Sequence, residues 1–264
     1  MQAPSPPQTA ANEADWPRFH KTPAKVGGAL VYAVGDIHGR YDLLRGMLNL
    51  IVADAMNRAS GRRPVLVLCG DYVDRGPDSA RVLTALDWIR RDKRLDLRLI
   101  KGNHEGAFLA FLKDPQEGAP WLRFGGDETL RSYGVAPPAD FDDAAELVRA
   151  RDDLLERMPA AHLRLLRELE LMVVIGDYAF VHAGVRPGVP LSRQKAEDLL
   201  WIRGGFLEQT KPFEKRIVHG HSWIEAAPEI YDNRIGLDTG AFATGVLTGI
   251  RIEDNEVEVL QVRP

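Results

Sequence analysis

Short, mainly apolar runs, each ending in a polar turn, punctuate the first hundred residues: ALVYAV (29–34), RPVLVLC (63–69) and the LRLI before Lys101. Runs this short, bounded by turn residues, predict strands buried on both faces. Between them the period changes. Leu43, Leu44, Met47, Leu48, Ile51 and Ala55 share one face of a helix over 41–58. Pro64 opens the second strand, and Asp78 is placed to cap a helix over 79–92. A short helix is expected over 105–113, and WLRFGGDETLRSYG (121–134) reads as a bent segment near the surface. The stretch 139–170 is helical in pattern and carries no evident chemistry, which suggests a cap or insertion.

Beyond it the texture becomes β-like. LMVVIGD and YAFVHA predict a hairpin turning at Gly176-Asp177, and a helix over 192–202 should end at Gly204-Gly205. RIVHG, EIYDN, IGLDTG, VLTGIRIED and EVEVLQV then read as strands, with Asp232-Asn233 and Asp254-Asn255 as turns. A first half of βαβ units and a second half of mainly antiparallel strands predict an α/β fold, two sheets packed together with helices outside.

At 264 residues and 45% hydrophobic content, the chain suits one catalytic-sized domain over 26–264. Residues 1–25 hold five prolines and are expected to form a disordered or loosely docked leader, pinned at most by Trp16 and Phe19. A net charge of −4 argues against nucleic-acid or anionic-membrane partners, so phosphate recognition would have to be local. The lone Cys69 suits a reducing compartment, and no apolar stretch approaches the roughly 18 residues of a membrane span, so a cytoplasmic protein is expected.

The chemistry sits where the strands end. GDIHGR (35–40), GDYVDRG (70–76) and GNHE (102–105) follow the first three strands, His182 ends YAFVHAG, and His221 ends KRIVHGH. In open α/β sheets that edge is where ligands bind. A single Asp or His after a strand is usually a turn former, but seven in five spaced motifs are not. Asp36 and His38 alternate along one loop and would share one ion with Asp71. Asn103, His182 and His221 would hold a second ion with Asp71 as the bridge. Mixed imidazole and oxygen donors favour two divalent ions, manganese first, with iron or zinc as alternatives, and no organic cofactor.

His104 follows a ligand and is free to act as general acid, paired with Asp74. Arg75 and Arg203 are candidate phosphate clamps. For Asp74 and Arg75 a loop salt bridge is the plain alternative, and a helix C-terminus alone would favour Arg203. His219 reads as a core histidine, His20 and His162 as bystanders, and Asp238 as a turn residue or a carboxylate orienting a ligand histidine.

Taken in series, GDIHGR, GDYVDRG, GNHE, HAG and GH resemble the calcineurin-like metallophosphoesterase superfamily, and within it the phosphoprotein phosphatase family. The resemblance spans 35–221. GHSW in place of the GHxH of many superfamily members fits that branch. WLRFGGDETLRSYG and WIRGG are similar to features of the small bacterial protein phosphatases and the symmetrical diadenosine tetraphosphate hydrolases.

This implies a four-layer sandwich of two mixed β-sheets flanked by helices, with a helical cap at about 105–170. It also implies Asp36, His38, Asp71, Asn103, His182 and His221 as metal ligands, His104 with Asp74 as proton donor, and Arg75 and Arg203 as clamps. The activity implied is a serine/threonine-type phosphomonoesterase acting on a phosphoprotein or small phosphorylated substrate. Hydrolysis of diadenosine tetraphosphate to ADP is the alternative, for which Trp121, Arg123 and Tyr133 could supply a base-binding surface, or they could equally pack the cap. A non-catalytic scaffold is a third reading, opposed by the intact motif set.

Overall fold

β1 (Leu30–Val34) divides its side chains between two cores: Leu30, Tyr32 and Val34 face one, Val31 and Ala33 the other. The pleat imposes that period of two, and burial on both faces explains why the run has no charged position. The computed structural model describes residues 24–264. The expected leader, with Trp16, Phe19 and His20, therefore lies outside the described residues except for Ala24 and Lys25. Lys25 docks on the 176–177 turn, its amide donating to Asp177 Oδ2 at 3.0 Å.

After β1 come α1 (Tyr41–Arg58), β2 (Val65–Leu68), α2 (Ser79–Ile89) and β3 (Asp96–Leu99), and β1, β2 and β3 pair in parallel. α2 stops at Ile89, short of the expected 92. Asp78 holds its N-cap position without capping it, its carboxylate lying 3.5 Å from Arg81 instead. The long helical stretch resolves into α3 (Asn103–Lys113), a π-turn (Leu122–Gly126), α4 (Asp127–Ser132), α5 (Ala144–Arg157) and α6 (Ala160–Arg167). Their apolar faces, including Phe108, Phe111, Leu147, Leu154 and Leu166, bury with those of α1 and α2 over one face of the first sheet.

The second sheet begins with the expected hairpin, β4 (Met172–Ile175) and β5 (Tyr178–Val181). It continues through α7 (Ala196–Trp201), β6 (Arg216–His219), β7 (Glu229–Ile230) and β8 (Arg234–Gly236), in the order β4-β5-β6-β8-β7. β5, β6 and β8 are mutually parallel, so this half is mixed rather than mainly antiparallel. The reason is the long 182–215 connection with α7, which lets the chain cross over before it re-enters the sheet. The helix expected over 192–202 is correspondingly a 3₁₀ turn (Leu191–Arg193) followed by α7.

After α8 (Ala241–Thr244), the hairpin β9 (Leu247–Glu253) and β10 (Glu256–Val262) returns to the first sheet, giving β10-β9-β1-β2-β3. Val31, Val67, Ile250, Phe180, Val218 and Ile235 fill the space between the sheets, and Phe206, Leu199 and Val185 cover the outer face of the second. The result is two mixed sheets flanked by helices. No helix among the described residues is long and apolar enough to cross a membrane.

Candidate metal centre

The C-terminal ends of the parallel strands in both sheets converge on one cleft of about 490 Å³. Its wall holds Asp36 and His38 after β1, Asp71 and Arg75 after β2, Asn103 and His104 after β3, and His221 after β6. His182 and Asp74 are buried among them. Asp238, after β8, also lines the cleft.

The loops that deliver these groups are strained. Among the described residues seven non-glycines have positive φ, and five of them are His38, Asp71, Asp74, Arg75 and His221. Such conformations cost about 1–3 kcal/mol each and persist only where the surroundings enforce them. One enforcer is Glu105, the last residue of GNHE. Its buried carboxylate accepts from the backbone of Asp71 (2.9 Å), Tyr72 (2.7 Å), Val73 (3.3 Å) and Gly102 (2.9 Å). The tight fit also explains two glycines. A Cβ at Gly102 would lie 2.1 Å from Asp71 Oδ1, and one at Gly220 would lie 1.9 Å from Asp36 Oδ1.

The donor atoms are arranged for cations. His38 Nδ1–H donates to the Val73 carbonyl at 2.9 Å, which leaves the Nε2 lone pair facing Asp71 Oδ2 at 3.5 Å. His182 Nδ1–H donates to the Cys69 carbonyl at 2.8 Å, so its Nε2 lone pair faces Asp71 Oδ1 at 3.4 Å and Asn103 Oδ1 at 2.7 Å. His221 Nδ1 is 3.0 Å from the same Asn103 oxygen. Where the His38 and His182 lone pairs face carboxylate and amide oxygens, acceptors meet acceptors in a buried site, which calls for a cation between them; His221, whose Nε2 accepts from Arg203, carries its proton on Nδ1 and donates it to Asn103.

The two oxygens of Asp71 point to opposite sides, toward a His38–Asp71–His104 group and an Asp71–His182–His221 group. Asp71 thus belongs to both groups. Asp36, expected beside His38, instead accepts the His221 amide (3.0 Å) and belongs to neither compact group, while His104 does.

Electrostatics support the same fit. Burial lowers His38 to about 3 and His221 to about 2, and lowers His182 as well, so all three imidazoles are neutral, the form that binds metal. Burial works against the Asp71 charge, but the imidazoles around it, of which His104 is the one that carries charge, hold it well below the usual carboxylate range. Burial, then the charges of Asp238 and Asp71, push Asp36 well above it. Burial and the Asp71 charge lift Asp238 to about 6 and Glu105 to about 8. These buried carboxyl groups crowd negative charge into one place, and divalent ions bound there would offset it. Asp238 therefore neighbours Asp36 rather than orienting a ligand histidine.

His104 Nδ1 bonds Asp74 Oδ2 at 2.6 Å, pairing the two as expected. Burial opposes protonation of His104, but the Asp71 charge and the Asp74 hydrogen bond outweigh it and hold the ring at about 9. Arg75 Nη2 lies 3.2 Å from His104 Nε2 and its guanidinium stacks 4.6 Å over Phe242, so Arg75 acts the other way on that proton. Arg203 donates through Nε to His221 Nε2 and through Nη2 to the His221 carbonyl, both at 3.2 Å.

The base-binding trio does not form. Trp121 is buried, Tyr133 bonds His162 at 2.8 Å, and Arg123 pairs with Asp142. The exposed aromatics on the cleft are Phe124, within that same 121–133 segment, and Trp201 and Trp223. Sequence reasoning also passed over Glu105, Thr129 and Phe242. Only Glu105 had a signal, an acidic residue three positions after the glycine that opens a helix.

Residues 29–234 match the family model for calcineurin-like phosphoesterases. Serine/threonine-protein phosphatase 2 of Escherichia coli is 28% identical over 84% of this chain and 93% of its own length. The symmetrical bis(5'-nucleosyl)-tetraphosphatase of Aeromonas hydrophila is 36% identical over 58% of this chain and 44% of its own length. The cold-active protein-tyrosine phosphatase of a Shewanella species shares the fold, with a TM-score of 0.53 at 19% identity over 96% of this chain and 90% of that one. With its strand-end motifs gathered in one cleft, the chain belongs to the calcineurin-like phosphoesterase family of dimetal hydrolases.

Proposed function

We propose that the chain is a metal-dependent phosphomonoesterase of the serine/threonine protein phosphatase type, working in the cytoplasm on a phosphoprotein or small phosphorylated substrate. The observation that carries this is Asp71, whose Oδ2 faces the neutral ring of His38 and whose Oδ1 faces the neutral ring of His182, beside the His104–Asp74 pair. Asp36, His38 and Asp71 would hold one ion, and Asp71, Asn103, His182 and His221 the other. When bound, a pair of divalent ions, manganese first among the candidates, supplies Lewis acidity toward the phosphoryl oxygens and makes water a better nucleophile.

The chain's own residues do the rest. Arg75 and Arg203 lie on the cleft wall, where planar guanidiniums can receive phosphate oxygens. Turning Arg75 onto the phosphate also releases His104 Nε2 from its 3.2 Å contact and leaves that nitrogen free to carry the proton. Asp74 holds Nδ1–H, so Nε2 faces the cleft and protonates the leaving oxygen as the P–O bond breaks. Water attacks phosphorus directly. Cys69 is no alternative nucleophile, because it is fully buried and burial pushes its thiol up.

A second reading, hydrolysis of a dinucleoside polyphosphate by the same residues, is favoured by Phe124 and Trp201, 65% and 53% exposed on the cleft wall. Such faces suit stacking of a base. The test compares catalytic efficiency of manganese-loaded enzyme on a phosphothreonine peptide and on diadenosine tetraphosphate, with His104→Asn as blank. Preference for the peptide supports the first reading, and preference for the dinucleotide replaces it with the second.

A further inference from the structure

The segment WLRFGGDET (121–129) has no part in the reaction just described, yet it encloses the Asp74–Arg75 corner on three sides. Trp121 Nε1–H donates to Asp74 Oδ2 at 2.7 Å, the same oxygen that His104 uses at 2.6 Å. Thr129 Oγ1 donates to Asp74 Oδ1 at 2.7 Å and accepts the Asp74 amide at 2.9 Å. The Arg75 amide donates to the Gly125 carbonyl at 3.1 Å, and a Cβ on Gly125 would come within 2.6 Å of that nitrogen. The indole is itself held, stacked on Phe108 with centroids 4.9 Å apart and 9° between planes.

We propose that this segment is a clamp on the Asp74–Arg75 corner, with Trp121 and Thr129 as positioning residues for proton delivery by His104. The inference rests on the reading of His104 as general acid. Packing alone does not require their polar atoms: valine matches threonine in shape, and phenylalanine, though smaller than tryptophan, keeps an aromatic ring against Phe108. What they add is direction. Three donors fix a fully buried carboxylate in one orientation, which fixes Nδ1–H of His104 and thereby the aim of Nε2 into the cleft. In the step served, the P–O bond to the leaving group breaks with its electron pair going to that oxygen. The oxygen takes the Nε2 proton while water forms the new P–O bond and gives a proton to solvent.

A misaimed acid matters only when the leaving group needs a proton. The experiment measures kcat and KM of manganese-loaded Trp121→Phe and Thr129→Val on phenyl phosphate, whose phenoxide needs protonation, and on 2,4-dinitrophenyl phosphate, whose leaving group does not. Trp121→Phe is expected to lose about tenfold in kcat on phenyl phosphate at unchanged KM and to stay within about twofold on the dinitrophenyl ester.

His104→Asn, run alongside, should show the same selectivity with a larger loss, on the order of a hundredfold or more. If it does while both clamp variants lose equally on the two esters, lose nothing, or fail to fold, the clamp is overturned and the general acid stands. If His104→Asn loses equally on both esters, the general-acid reading falls and the clamp falls with it.

Discussion

Glu105 Oε2 accepts the backbone N–H of Asp71 at 2.9 Å, tying the helix that carries Asn103 and His104 to the loop that carries Asp71. Asp71 has a φ of 51°, a conformation that needs such support. Glu105→Ala would orphan that amide together with those of Tyr72, Val73 and Gly102 in a buried site. The expected loss is on the order of 3–5 kcal/mol, read as a lower urea midpoint, with weaker metal retention. A variant as stable as the wild type would show that the loop holds itself.

His104 falls within the compact His38–Asp71–His104 group, so geometry alone offers it as a ligand. Its Nδ1 contact with Asp74 and its place after Asn103 favour the acid role. His104→Asn is therefore expected to match the wild type in metal content, two ions per chain on the proposed reading, while kcat on an alkyl phosphate falls roughly 10²–10⁴-fold. Metal analysis after gel filtration, paired with turnover, separates the roles. A variant that loses an ion makes His104 a ligand.

The strand-end motifs are legible in the sequence because each begins just after a short, mainly apolar strand, and position at a sheet edge follows from that. The Asp232-Asn233 and Asp254-Asn255 turns are legible for the same local reason: β7–β8 and β9–β10 are hairpins. Long-range contacts are not. Trp121 meets Asp74 across 47 residues and Thr129 meets it across 55, and neither spacing leaves a mark on periodicity. β9 pairs with β1 although the chain crosses the second sheet between them, so its neighbour depends on which open edge remains. Trp121, an apolar aromatic in a polar stretch, looked like a ligand surface, and its burial beneath the cleft wall was set by Phe108 and Phe111.

Removing divalent ions should destabilise the fold as well as stop turnover. Asp36, Asp238 and Glu105 all have raised pKa values, through burial and through one another's charge or that of Asp71, and a cation relieves that cost. Ions bound only to the native state add about 2.7 kcal/mol per site at a hundredfold excess over Kd. Chelator-treated protein is expected to unfold at a lower temperature, and added manganese should restore both Tm and activity. An unchanged Tm after verified metal removal would argue against a buried dimetal site.

Far from the cleft, His162 gives an acid-side stability change that is independent of metal. Thr84 spends its hydroxyl hydrogen on the Ala80 carbonyl at 2.8 Å, so its oxygen accepts from His162 Nε2–H at 3.1 Å, and Tyr133 O–H donates to Nδ1 at 2.8 Å. Both nitrogens are thus used in a neutral ring, and protonating Nδ1 would break the Tyr133 bond. Burial lowers the His162 pKa, with Asp87 opposing more weakly. The folded value therefore lies below the unfolded 6.5, and the unfolded chain takes up the proton first as pH falls. This contribution is intact above the unfolded pKa and is progressively lost as pH drops below it. Urea unfolding at pH 7.5 and 5.0 should show wild type losing more stability on acidification than His162→Gln, which cannot titrate; equal losses would mean that the ring is already free to charge in the folded protein.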